Sequence, residues 1–125
     1  MNKANCLCEP QNVLIFPCSG GSTVGQIANE AAKELTALGH GKMYCLAGIG
    51  GNIEVILRST KAAEKIVAID GCVIQCARKT LEQKGFTPDV HVVITDLGIQ
   101  KKSGFMTDTD EIDKVVNCVI GGESK

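Results

Sequence analysis

The chain has 125 residues, room for one domain and too little for two ordinary ones. A domain of this size buries roughly two-thirds of the surface of its unfolded chain, so it needs neither a disulfide nor a metal merely to stay folded. The net charge of -1 gives no basic field for a phosphate backbone and the 3% aromatic content few stacking platforms, which excludes nucleic acid as a main partner.

In chain order, residues 1–12 read as a short N-terminal tail and residues 13–122 as a single domain. Val13-Leu14-Ile15-Phe16 is an apolar run ended by Pro17, the pattern of a strand covered on both faces. The turn Ser19-Gly20-Gly21-Ser22 follows, then Thr23-Val24-Gly25-Gln26, which fits a capping box with Thr23 as the cap. Val24, Ile27, Ala28, Ala31, Ala32, Leu35 and Leu38 keep the three-four spacing of a helix with one buried face, and Gly39 stops it. Lys42 to Leu46 reads as the second strand, and Ala47-Gly48-Ile49-Gly50-Gly51 as a flexible turn before a shorter helix bearing Ile53, Ile56 and Leu57. Ile66-Val67-Ala68-Ile69 is the third strand, broken by Asp70-Gly71, and a helix is expected from about Cys72 to Lys84, closed by Gly85. Val90 to Thr95 forms the fourth strand. The last helix starts in the acidic stretch Asp108 to Asp113, which suits the positive end of its dipole. It buries Ile112, Val115, Val116, Val119 and Ile120.

Four apolar strands, each followed by helix or loop and with no hairpin signal, predict an α/β fold. The expected form is a single-domain three-layer sandwich on a mainly parallel four-stranded sheet, Rossmann-like or flavodoxin-like. In such sheets ligands sit outside the carboxyl ends of the strands where strand order reverses.

Seven cysteines is an odd count, below the density of a disulfide scaffold, and argues for reduced thiols. Met1 to Glu9 has no apolar core of a leader peptide, and no run approaches the roughly 20 residues of a membrane span. The expected compartment is therefore the cytoplasm, with no membrane partner, where clustered cysteines read first as metal-binding or catalytic. Cys18, Cys45, Cys72 and Cys76 all fall at or near strand ends, so they should share one edge of the sheet. Cys72 and Cys76, four apart at a helix start, would lie on one face, and four thiolates match the tetrahedral demand of zinc. Any one of them alone reads as a small buried hydrophobe; Cys45, inside a strand, is the weakest member. An iron-sulfur cluster is the less favoured four-cysteine alternative.

Asp70 and Asp96 are secondary candidates as oxygen ligands or bases, each with a simpler reading: Asp70 as a helix cap and Asp96 as a turn former. Ser19, Gly20, Gly21, Ser22 and Thr23 have the spacing of a loop that binds a small anion at a helix N-terminus. Gln26 and Ile27 stand where a nucleotide-binding loop has Lys and Ser or Thr, which excludes ATP or GTP hydrolysis. Cys18 before this turn has the placement of a thiol-phosphatase nucleophile, but the loop has no Arg. Cys6-Leu7-Cys8 suits metal capture or disulfide exchange as well as a plain exposed tail, and Cys118 packing in the last helix. His40 and His91 are expected at the end of the sheet remote from the cysteines. Lys101-Lys102 reads as a solvated pair.

Asp70-Gly71-Cys72 followed by Cys76, with Pro17-Cys18-Ser19-Gly20 and Cys45-Leu46-Ala47-Gly48 before it, resembles the DGC-domain family of small bacterial and archaeal proteins. The likeness spans nearly the whole chain. It implies zinc held by Cys18, Cys45, Cys72 and Cys76, and it implies no biochemical role. The leading expectation is a zinc-binding protein acting in metal sensing, carriage or as a structural site. The alternative is a thiol-dependent enzyme with Cys18 or Cys72 as nucleophile or redox thiol. A third reading joins them: a catalytic metal on three cysteines, with Asp70 or Asp96 working on a bound water. The glycine-rich residues 48–51 and the segment Gly98 to Thr107 are the expected places for a lid.

Overall fold

The computed structural model describes residues 12–122. Its elements are β1 (Val13–Pro17), α1 (Thr23–Ala37), β2 (Lys42–Met43), α2 (Leu46–Gly50), α3 (Glu54–Lys61), β3 (Lys65–Asp70), α4 (Cys76–Gln83), β4 (Val90–Val93), a 3-10 turn (Ile94–Leu97) and α5 (Thr109–Ile120). The strand order is β2-β1-β3-β4 and every pairing is parallel. This is the α/β sandwich that the sequence predicts, with β3 beside β1 as in the flavodoxin-like order.

Alternation along the strands builds two cores. Ile15, Val67, Ile69, Val90 and Val92 face α1 and α5, where Ala28, Ala31, Leu35 and Val115 are buried. Leu14, Phe16, Ile66 and Ala68 face Ile49, Ala77 and Leu81 of α2 and α4. Burial on both faces is why the strands are continuous apolar runs. Tyr44 closes the second core edge-on to Phe16, with ring centroids 5.9 Å apart.

Several boundaries differ from the sequence reading. Ser22, not Thr23, caps α1, accepting from the Gly25 N–H at 3.2 Å. Gln26 donates instead to the carbonyls of Ser19 and Gly20. Leu38 falls beyond the last turn of α1 and is exposed. β2 holds two residues rather than five, and the glycine-rich stretch after it is helix α2 rather than a flexible turn. Close packing explains the second point: a Cβ on Gly48 would stand 2.7 Å from Cγ1 of Ile56, so the glycine lets α2 seat on α3.

The helix expected from Cys72 starts only at Cys76. Gln75 is left-handed at φ 58 and its N–H closes a turn on the Cys72 carbonyl at 3.0 Å, so a continuous helix cannot run through it. Val73 and Ile74 are left exposed. β4 stops at Val93 because the Thr95 N–H turns to the Gly71 carbonyl. α5 starts where the acidic stretch predicts, with Asp108 accepting from the Asp110 N–H, but Ile120 is exposed rather than buried. Among the described residues no helix is long and apolar enough to cross a membrane.

Candidate functional site

The chain leaves β1 toward β2 on one side and returns to β3 on the other, so strand order reverses between β1 and β3. The crevice outside their carboxyl ends is the place where such folds bind ligands. Pro17 pairs with Ile69 in register, and the Cys18 N–H donates to the Ile69 carbonyl at 2.8 Å. Cys18 and the Asp70-Gly71-Cys72 turn therefore leave adjacent strands at the same level.

Gly71 is required there by contact rather than by its dihedral angles. A Cβ at this position would lie 2.9 Å from the Val24 carbonyl carbon and 3.0 Å from the Gly25 nitrogen. The turn after β3 thus rests directly on the first turn of α1, and that contact holds Cys72 close to the Cys18 loop.

Cys18 is half-buried, and burial pushes its thiol up from the ordinary range. Backbone N–H groups of Gly20 and Gly71 oppose that shift by donating to the sulfur, while the charges of Cys76 and Asp70 add to it. The glycine loop therefore directs an amide at the chain's own sulfur. Two further amides are engaged within the protein: the Ser22 N–H donates to the Gly20 carbonyl and the Thr23 N–H to the Lys102 carbonyl. Ser19, Gly20, Gly21, Ser22 and Thr23 thus connect the Cys18 corner to the start of α1.

Asp70 is fully buried. It accepts from the Ala77 N–H at 2.7 Å and the Arg78 N–H at 3.2 Å, and His91 Nε2 lies 2.8 Å from its Oδ2. It caps α4 from six positions before the helix, satisfying N–H groups that a helix start leaves orphaned. His91 corrects an expectation: although β4 pairs it with Ala68, its ring reaches the cysteine end of the sheet through Asp70. No sequence spacing marks that contact, since strands β3 and β4 bring together residues far apart in the chain. His40 does line the opposite end, with Val13, Lys65 and Val119.

Cys72 is partly buried and Cys76 exposed. Because Cys72 precedes the helix and Cys76 begins it, the two do not share a helical face. Cys45 is exposed and stands at the start of α2 rather than inside a strand. Register puts it at the same end of the sheet, since Met43 pairs with Ile15. Asp96 is exposed on the 3-10 turn. Cys118 is buried in the core of α5, and Cys6 and Cys8 lie outside the described residues.

Lys101, expected as one of a solvated pair, has a partner instead. Its Nζ lies 3.5 Å from the Cys72 sulfur, giving that sulfur a cationic partner. Among the described residues, Gln75 Oε1 and Thr95 Oγ1 are buried and have no hydrogen-bond partner, and their backbones are tied to Cys72 and Gly71.

The donor chemistry fits a soft divalent ion: thiols from the ends of three parallel strands, with peptide N–H groups and an ammonium to offset thiolate charge. Their present spacing is looser than coordination demands. Among the described residues no three His, Cys, Asp or Glu side chains are grouped closely enough to hold an ion.

The profile of the DGC domain family matches residues 14–119. The chain belongs to the DGC domain family. It is also similar to the anaerobic and virulence modulator AnvM of Pseudomonas aeruginosa, 33% identical over 91 residues that span 73% of this chain and 70% of that protein. No solved structure matches. The family's central motif is Asp70-Gly71-Cys72 here, and the three residues have separate physical tasks: Asp70 caps α4, Gly71 allows contact with α1, and Cys72 presents its sulfur at the switch point.

Proposed function

We propose that this DGC-family protein is a zinc-binding protein of the cytoplasm, its ion held by Cys18, Cys45, Cys72 and Cys76 and used for sensing, carriage or structure. The observation that carries this reading is the approach of Cys18 to the Asp70-Gly71-Cys72 turn at the reversal of strand order, with Cys76 close enough to act on the Cys18 charge. The name of the Pseudomonas relative describes a modulator, which suits sensing or carriage better than turnover.

A second reading, thiol chemistry, is favoured by one contact, the Lys101 ammonium beside Cys72. It selects Cys72 over Cys18, because burial keeps the Cys18 thiol protonated to higher pH and the thiolate is the nucleophile. A metal-bound water worked on by Asp70 has less support, since both carboxylate oxygens already have partners.

Elemental analysis of anaerobically purified, reductant-protected protein tests the proposal, with free thiols titrated on the same sample. About one zinc per chain, with the proposed ligands protected until a chelator is added and affinity lost in Cys72→Ser, is the expected result. No metal and all seven thiols reactive would overturn it. Selective alkylation of Cys72 on that sample would transfer the assignment to thiol chemistry.

A further inference from the structure

The segment between the 3-10 turn and α5 has no regular structure from Gln100 to Asp108, yet it is fastened at one point. The Thr23 N–H donates to the Lys102 carbonyl at 3.0 Å, the Thr23 hydroxyl donates to the same carbonyl at 3.2 Å, and the Lys102 N–H donates to the Thr23 hydroxyl at 2.9 Å. Thr23 is buried at the first turn of α1. The adjacent residue, Lys101, is thereby delivered to the Cys72 sulfur at 3.5 Å. The clasp uses only the backbone of Lys102, so two neighbouring lysines have different tasks: one supplies peptide groups and the other an ammonium.

We infer that residues 98–107 form a strap over the cysteine site, anchored by Thr23, in which Lys101 hydrogen-bonds the Cys72 sulfur and slows release of a bound zinc ion. The inference rests on the zinc reading above. Its physical basis is charge. Zinc on four thiolates carries excess negative charge, and an ammonium donating to a ligand sulfur offsets it. Groups that hydrogen-bond metal ligands typically contribute about 10- to 100-fold in metal affinity. Lys101 is a positioning residue here and does not touch the ion.

Zinc-loaded full-length protein is mixed with excess 4-(2-pyridylazo)resorcinol and zinc transfer is followed by absorbance. Lys101→Met should release zinc about tenfold faster or more, Lys101→Arg should restore most of the retention, and Lys102→Met should match the wild type. Thr23→Val, which removes both hydroxyl bonds but keeps the side-chain shape, should speed release and raise hydrogen exchange at the Lys102 amide in metal-free protein as well. Equal release from Lys101→Met and Lys102→Met would overturn the role of Lys101, and unchanged release from Thr23→Val would overturn the anchor. If the wild-type protein takes up no zinc, the zinc reading fails and the inference with it. Tight zinc with no difference among the variants removes the strap alone.

Discussion

Gly71→Ala isolates the contact on which the cysteine site depends. The added methyl would meet the Val24 carbonyl carbon at 2.9 Å, the Gly25 nitrogen at 3.0 Å and Val24 Cγ2 at 3.0 Å. Carbon atoms pack comfortably only at about 3.5–4.0 Å, so α1 and the turn after β3 must separate by several tenths of an ångström. The obstacles include backbone at the start of a 15-residue helix, which cannot rotate away as a side-chain tip would. Overpacking of this kind costs about 1–3 kcal/mol. With a urea dependence of about 2 kcal/mol/M, the denaturation midpoint of the metal-free protein should fall by about 1 M at unchanged slope. Gly21→Ala is the matched control: a Cβ there meets nothing within 4 Å, and its effect should stay within about 0.5 kcal/mol. A Gly71→Ala midpoint as close to wild type as that of Gly21→Ala would refute the packing argument. The same variant should also make Cys18 react more slowly with iodoacetamide, because the shift draws away the Gly71 N–H that favours its thiolate.

Asp70→Asn replaces one acceptor oxygen by a donor facing N–H groups of α4 or the His91 ring. A loss of about 2–3 kcal/mol is expected, read as a lower thermal midpoint, and a midpoint within error of wild type would remove the capping role. The Cys18 thiol is raised by burial, so the folded state prefers it protonated. Its contribution to stability is therefore complete below the ordinary cysteine pKa of about 8.5 and is lost as pH rises through the higher folded value. Metal-free protein should thus show a urea midpoint that declines in that alkaline window, with a shallower decline in Cys18→Ala; parallel profiles would contradict the assignment. Ser22→Ala removes the acceptor for the Gly25 N–H and should destabilise by about 1 kcal/mol, measured as a urea midpoint shift. An unchanged midpoint would show that the cap bond contributes nothing net.

The composition and periodicity of this chain were enough to determine its class and layers. Val13 to Phe16 and Ile66 to Ile69 are apolar on both faces, and strands with no wet face require helices on either side. The three-four spacing of α1 and the acidic start of α5 were equally legible, because local backbone hydrogen bonding and burial act on residues close in the chain. The cysteine edge could be anticipated because parallel strands all deliver their carboxyl ends to one side, whatever their order.

Tertiary structure alone decided the contacts made at that edge. The order β2-β1-β3-β4 sets Cys18 beside Gly71, and no local pattern encodes which strands become neighbours. The left-handed Gln75 broke an expected helix, separating Cys72 from the face of Cys76. His91 reached Asp70 and Lys101 reached Cys72 across 21 and 29 residues of sequence. A histidine in a strand and a lysine in a loop have the same local signature whether they face water or a functional group. Their partners are fixed only when the sheet closes, because hydrogen bonds act over a few ångströms in space while sequence patterns record only spacing along the chain.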